Sequence, residues 1–210
     1  MDLAATIASH LLQINAIKLS PQKPFTWASG IQSPIYCDNR IALSFPEVRK
    51  AIIDGFVAES KALEPFDVVA GVATAGIPHG ALLADALELP FIYVRSKPKG
   101  HGRQNQIEGL VKEGARALVV EDLISTGGSA VKAVDALREA GITAAGVLAI
   151  FTYGFPEAEA AFQKAGCPFR ALSNYDALLS QAAATAYIKE EEVAALSAWR
   201  KSPKTWAAGE

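Results

Sequence analysis

Between residues 66 and 153 the chain repeats one texture. The runs FDVVAGVA (66–73), PFIYVRS (90–96), ARALVVED (115–122) and AAGVLAIFTY (144–153) are short, apolar, and rich in Val, Ile and aromatics. They alternate with IPHGALLADALE (77–88), GGSAVKAVDALREAG (127–141) and EAEAAFQKAG (157–166), whose apolar residues fall at helical spacing. A strand that is apolar on both faces must be covered on both, and a helix between two such strands is the crossover that lets them run parallel. The pattern predicts an α/β fold with a central parallel sheet flanked by helices. In such sheets ligands bind beyond the carboxyl ends of the strands, where the loops to the helices begin.

The flanks read differently. Leu3, Ile7, Leu11, Ile14 and Ile17 lie at spacings of four, four, three and three, one face of an amphipathic helix. SPQKPFTWASGIQSPIYCDNR (20–40) is rich in Pro, Ser and Gly, with aromatics between, and predicts turns and short strands. Residues 1–43 are therefore read as a small N-terminal subdomain on a core spanning 44–200, within a single domain covering 1–210. Ser44 and Glu47, three apart, predict a capping box ahead of a helix running to about residue 63. EEEVAALSAWRK (190–201) reads as a final helix whose Glu run suits a helix N-terminus.

Charge and composition exclude some classes. The 22 acidic and 20 basic residues leave a net charge of −2, whereas a protein that neutralises nucleic-acid phosphates carries a basic excess. No nucleic-acid partner is expected. No uninterrupted apolar stretch of ~18 residues predicts a membrane span. The N-terminus lacks a basic region ahead of its apolar residues, so a cytoplasmic location is expected. Cys37 and Cys167 fall in no metal-ligand pattern and read as reduced thiols. His10 and His79 have no partners at metal spacing, and Trp199 and Trp206 read as packing residues.

VVEDLISTGGSA (119–130) is the segment that carries chemistry. After a buried strand, Gly127 and Gly128 permit a tight turn, and Thr126 to Ser129 expose backbone N–H groups at a helix start, which favours an anion. Ser125, Thr126 and Ser129 add hydroxyls. Glu121 and Asp122 put two carboxylates at the mouth of that cradle, which phosphate alone would not want. No G-x-x-x-x-G-K-[ST] or G-x-G-x-x-G pattern occurs, so neither a triphosphate loop nor a dinucleotide fold is indicated. A phosphorylated ribose meets both needs: its phosphate suits the cradle, and its hydroxyls suit the carboxylates.

The same residues resemble the phosphoribosyl-pyrophosphate signature of the type I phosphoribosyltransferases. FTWASGIQSPIYCDNR (25–40) is similar to the N-terminal base-binding hood of the orotate-specific members. YVRSKPKGHGRQNQIEG (93–109) is similar to their mobile catalytic loop, here 95–107, and GVATAGIPHGALLAD (71–85) to the loop that touches pyrophosphate. The resemblance covers about residues 1–200 in order. It implies the type I phosphoribosyltransferase fold with its hood. The implied activity is transfer of phosphoribosyl from phosphoribosyl pyrophosphate to orotate.

It implies roles as well. Arg95, Lys99 and His101 match the pyrophosphate-binding and catalytic positions of the loop, with Lys97 and Arg103 behind them. Glu121, Asp122, Leu123, Ile124, Ser125, Thr126, Gly127, Gly128 and Ser129 match the segment that binds the phosphoribosyl group. Ser125, Ile35 and Tyr36 match the orotate side, with Trp27 in the hood. The family implies a homodimer with shared active sites, the loop reaching the neighbouring subunit. Mg²⁺ is expected to enter on substrate phosphates, and no protein ligand set for a tightly held metal is legible. The chain departs from the family at Ala28 and Ala75, where many members have Lys, at Ser125, where many have Thr, and near FTYGFPE (151–157), where an Arg is missing. Backbone amides near Ile35 and Tyr36, with Arg40, are the candidates to replace those cations. The alternatives are transfer to another base, or a non-catalytic regulator that senses phosphoribosyl pyrophosphate.

Overall fold

The computed structural model describes residues 2–26, 30, 32–97, 106–110, 112–203 and 205–206. In chain order the elements are helix α1 (Leu3–Gln13), strands β1 (Ile17–Leu19), β2 (Phe25–Thr26), β3 (Gln32–Ser33) and β4 (Ile35–Cys37), and helix α2 (Pro46–Ser60). Strand β5 (Val68–Val72), helix α3 (Gly76–Ala86), β6 (Phe91–Val94), β7 (Ile107–Glu108), β8 (Arg116–Ile124), α4 (Gly128–Glu139), β9 (Thr143–Thr152) and α5 (Pro156–Ala165) follow. The chain ends with β10 (Phe169–Asn174), α6 (Tyr175–Ala184) and α7 (Glu190–Lys201). Short 3₁₀ turns occupy Asn39–Ser44 and Lys61–Leu63.

The chain packs as two compact units, one comprising residues 1–48 with 173–210, the other 49–172. The sequence pattern predicts a boundary at residue 43 and a core that runs to 200. In the structure, 173–210 join the N-terminal segment.

The second unit is built on a six-stranded sheet in the order β10-β9-β8-β5-β6-β7. β6, β5, β8 and β9 run parallel, as their two-sided apolar runs require. The expected parallel sheet is therefore a mostly parallel, mixed one, because β7 pairs antiparallel with β6 at one edge. All five residues of β5 are buried. Val68, Ala70 and Val72 pack in one core with Val119, Val147 and the α4 residues Ala130, Val134 and Leu137. Gly71 points the other way, as pleating demands, and meets α3. There Gly71, Gly76 and Gly80 let the helix lie almost backbone to backbone on the sheet: a Cβ on Gly76 would stand 2.3 Å from the Val120 carbonyl oxygen.

In the first unit, β1 pairs antiparallel with β4, and β2 with β3, giving the short strands expected of the turn-rich segment. Ile7 and Leu11 are fully buried, as their spacing predicts. The predicted helical face ends early. Ile14 is the C-cap, Asn15 takes a left-handed φ of 57° that stops the helix, and Ile17 opens β1. α1 packs on α6, and the Ser173 hydroxyl donates to the Ala4 carbonyl at 2.8 Å. Trp199 of α7 is fully buried beside Tyr175, with ring centroids 5.8 Å apart, and its indole N–H donates to the Gln32 carbonyl at 3.2 Å.

The predicted capping box is displaced. α2 starts at Pro46, whose fixed φ suits the first helical position, and Ser44 closes the preceding 3₁₀ turn instead. In α7 the Glu run occupies the first turn, and Glu192 accepts the Lys189 N–H at 2.9 Å.

Candidate active site

β8 carries the acidic pair, and the turn into α4 carries the cradle. Gly127 takes φ 79° at the helix N-cap, a left-handed conformation that disfavours a side chain, and a Cβ there would also press on the Phe162 ring at 3.0 Å. No side chain caps α4 at that position. Its first-turn N–H groups are oriented for an outside acceptor, and the helix dipole favours an anion. The turn is anchored from β9: the Thr152 hydroxyl and the Tyr153 N–H both donate to the Ile124 carbonyl, at 3.2 and 3.1 Å.

A cavity of about 620 Å³ opens beside this turn. Its walls bring together Leu123, Ser125, Thr126, Gly127, Gly128 and Ser129 with Arg95, the sequence-predicted residue from β6's far end. Ser96, Gln106, Lys132, Asp135 and Glu139 also line it, and sequence reasoning did not single them out. Lys132 and Glu139 lie on the α4 face that starts at Gly128, so helical spacing from the cradle was a signal that could have found them.

The two carboxylates have different surroundings. Glu121 is 5% exposed. Its Oε2 accepts from the Ser129 hydroxyl at 2.9 Å and its Oε1 from the Asp122 backbone N–H at 3.0 Å. Burial, and then the adjacent Asp122 charge, push the Glu121 carboxyl up to about 8, against the smaller lowering effect of those two donors. Asp122 is only half-buried. Neither carboxylate forms part of the cavity wall. Ile124 is buried in the strand end.

The cationic loop leaves and re-enters through a hairpin stem. Arg95 N–H donates to the Gln106 carbonyl at 2.8 Å, and the Gln106 side-chain amide donates back to the Arg95 carbonyl at 3.1 Å. Ile107 and Glu108 are strand residues, so of the predicted 95–107 loop both ends belong to the stem. The Arg95 guanidinium stands 3.6 Å from Glu108, an ion pair across the stem. Lys99, His101 and Arg103 lie outside the described residues, as do Ala28 and Trp27.

The stretch predicted to touch pyrophosphate forms the turn from β5 into α3, with a cis peptide between Ala73 and Thr74. Ala73 reaches the cavity wall. Ile35 and Tyr36 lie on β4 in the first unit, Ile35 fully buried and Tyr36 42% exposed. Arg40 is engaged with Asp38, its Nε donating at 2.7 Å. His79 is fully buried in α3. Among the described residues, no group of three or more His, Cys, Asp or Glu side chains is arranged to hold a metal ion. Among them, too, no helix is long and apolar enough to cross a membrane.

A sequence model of the phosphoribosyl transferase domain matches residues 48–169. The chain is 53% identical over 207 residues to the orotate phosphoribosyltransferase of Cytophaga hutchinsonii, covering 98% of this chain and 99% of that one. It is 54% identical over 200 residues to the orotate phosphoribosyltransferase of Bacillus subtilis, covering 95% and 93%. Among solved structures, the crystal structure of orotate phosphoribosyltransferase from Aeropyrum pernix is similar with a TM-score of 0.75 at 28% identity, over 87% of this chain and 99% of that one.

Proposed function

This chain belongs to the orotate phosphoribosyltransferases of the phosphoribosyl transferase family, and from that premise we propose how its residues divide the reaction. The enzyme transfers phosphoribosyl from 5-phospho-α-D-ribose 1-diphosphate to orotate, giving orotidine 5′-phosphate and diphosphate, a step of pyrimidine biosynthesis. Orotate N1 gives up its proton to solvent and bonds to C1 of the ribose as the C1–O bond breaks, and that bond's electron pair leaves with diphosphate. The observation that carries the residue assignment is the cradle at the end of β8, open beside a cavity that also takes in Arg95.

The 5′-phosphate goes to the turn from Ser125 to Ser129. The uncapped α4 terminus and the left-handed Gly127 support this, since together they present N–H donors to an oxyanion. The acidic pair serves the sugar side. Its negative charge suits a ribose that becomes cationic as the leaving group departs, by analogy with glycoside chemistry.

Diphosphate gains negative charge as it leaves, and Arg95, Lys99 and His101 are the groups that meet it. Arg95 is supported by its place on the cavity wall, and Lys99 and His101 by the loop's resemblance alone. Ser125, Ile35 and Tyr36 are assigned to orotate on the same ground.

Mg²⁺ is proposed as the metal. The cavity wall offers hydroxyl and amide oxygens without soft ligands, which fits a hard cation that keeps substrate oxygens and water as its ligands. When bound, it would neutralise phosphate charge. A homodimer that shares its loops between sites, and a cytoplasmic location, complete the proposal.

The test is turnover of the purified protein with phosphoribosyl pyrophosphate and a panel of bases. Orotate alone should release diphosphate. Release with adenine or guanine but not orotate would overturn the assignment of the base, and tight binding without release would favour a sensor.

A further inference from the structure

We infer that Ser129 is a positioning residue: its hydroxyl holds the Glu121 carboxylate in place, and so ties the phosphate cradle to the acid on the sugar side. The inference rests on the reading of this site as a phosphoribosyl transferase site and refines how its two halves communicate. Ser129 is the second residue of α4, and its Oγ donates to Glu121 Oε2 at 2.9 Å across the strand-to-helix turn. The other Glu121 oxygen accepts the Asp122 N–H at 3.0 Å. Beside Glu121 in the sheet stands Ala149, which offers no polar side chain. Among the groups that orient this nearly buried carboxyl, the Ser129 hydroxyl is the one that sits on the helix whose start is assigned to the phosphate.

A serine hydroxyl has one proton to give. While that proton is on Glu121 it is not on a phosphate oxygen, and the backbone N–H groups at the head of α4 are left to hold the anion. The two roles have different kinetic signatures. The 5′-phosphate does not change charge during the reaction, so a lost phosphate donor weakens ground state and transition state alike and raises KM. The acidic pair on the sugar side faces a charge that grows only in the transition state, so a Glu121 that no longer holds its place beside Asp122 lowers the rate of the chemical step.

The experiment compares Ser129→Ala, Ser129→Thr, Glu121→Gln and the Ser129→Ala/Glu121→Gln pair in single turnovers with phosphoribosyl pyrophosphate and orotate. Ser129→Ala should slow the chemical step about tenfold, with KM for phosphoribosyl pyrophosphate within about twofold of the parent. Ser129→Thr, which keeps the hydroxyl, should restore the rate. In the Glu121→Gln background, Ser129→Ala should add less than about twofold, since the two act as one unit. A raised KM with an unchanged chemical step would make Ser129 a phosphate donor and overturn the inference, as would effects that multiply in the pair. A parent that does not turn over with orotate defeats the underlying reading of the site. A parent that does, with Ser129→Ala indistinguishable from it, defeats this inference alone.

Discussion

Substituting Gly76 by Ala tests whether the loop from β5 into α3 owes its position to backbone contact with the sheet. Gly76 opens α3, where a negative φ would accept alanine without conformational strain, and helix propensity alone would favour the change by up to about 1 kcal/mol. The obstacle is space. The new Cβ would lie 2.3 Å from the Val120 carbonyl oxygen and 3.2 Å from its carbon, with the Glu121 Cα at 3.4 Å. These are backbone atoms of β8, which is paired on both sides, to β5 and β9, so the strand cannot yield. The helix start must lift instead, by roughly 1 Å to restore ordinary contact distances, and overpacking of this kind costs about 1–3 kcal/mol. At about 2–4 °C per kcal/mol for a chain of this size, thermal unfolding should fall by about 2–12 °C.

Ala73 of this loop lines the cavity, and displacing a group at a reacting site by about 1 Å can cost on the order of 100-fold in kcat/KM, so activity should fall more steeply than stability. Gly114→Ala is the control. It has φ 79° and nothing within 4 Å of its would-be Cβ, so only the left-handed backbone cost of about 1–2 kcal/mol applies, and activity should be kept. Thermal unfolding followed by circular dichroism, with steady-state kinetics on both variants, decides the matter. A Gly76→Ala protein with parental unfolding temperature and parental kcat/KM would refute the claim that this contact sets the loop.

Three further outcomes follow from the structure. Because the folded protein holds the Glu121 proton to about 8 while an exposed carboxyl releases it near 4.5, the unfolded chain binds fewer protons between those values, and stability should fall as pH rises through that window. Unfolding free energies from urea titrations of the parent and of Glu121→Gln should diverge toward pH 8 by at most on the order of 5 kcal/mol, and parallel pH curves would show that burial does not hold the proton. Lys99→Ala should lower orotate-dependent diphosphate release by about 100-fold or more while leaving the unfolding temperature unchanged, and near-parental release would remove Lys99 from the chemistry. Trp199→Ala, which empties a fully buried site and strands the Gln32 carbonyl, should cost about 3–5 kcal/mol by chemical denaturation, and a loss under about 1 kcal/mol would mean that α7 contributes little to the first unit.

What could be read from sequence followed the length of each signal. β5, β6, β8 and β9 were legible because each is a continuous apolar run; β5, β8 and β9 are largely buried on both faces, and β6 is buried on one face and half-buried on the other. β7 was not, because two residues at a sheet edge carry no period, and Ile107–Glu108 were read as loop. β10 and α6 went unread because FRALSNYDALLSQ mixes polar and apolar residues without a clean repeat. α1 was over-extended because Ile14 and Ile17 continue the apolar spacing, whereas the left-handed Asn15 ends the helix. In the site, the cradle was plain because it is contiguous. Gln106 was not, because its bonds to Arg95 cross a hairpin whose two arms are separated by the loop.

Residues 119–130 specify a strand, a tight turn and a helix from local pattern alone, since neighbouring residues share one turn wherever the chain goes. The sequence by itself also determined the alternation that makes a parallel sheet. Tertiary structure alone decided that α3 rests backbone to backbone on β8, that α6 returns to pack on α1, and that the paired acids differ. Glu121 is buried and bonded to Ser129, and Asp122 is half-exposed, although the two are adjacent and chemically alike. Pleating turns successive strand residues to opposite faces, and what waits on each face is set by segments that the local pattern does not name.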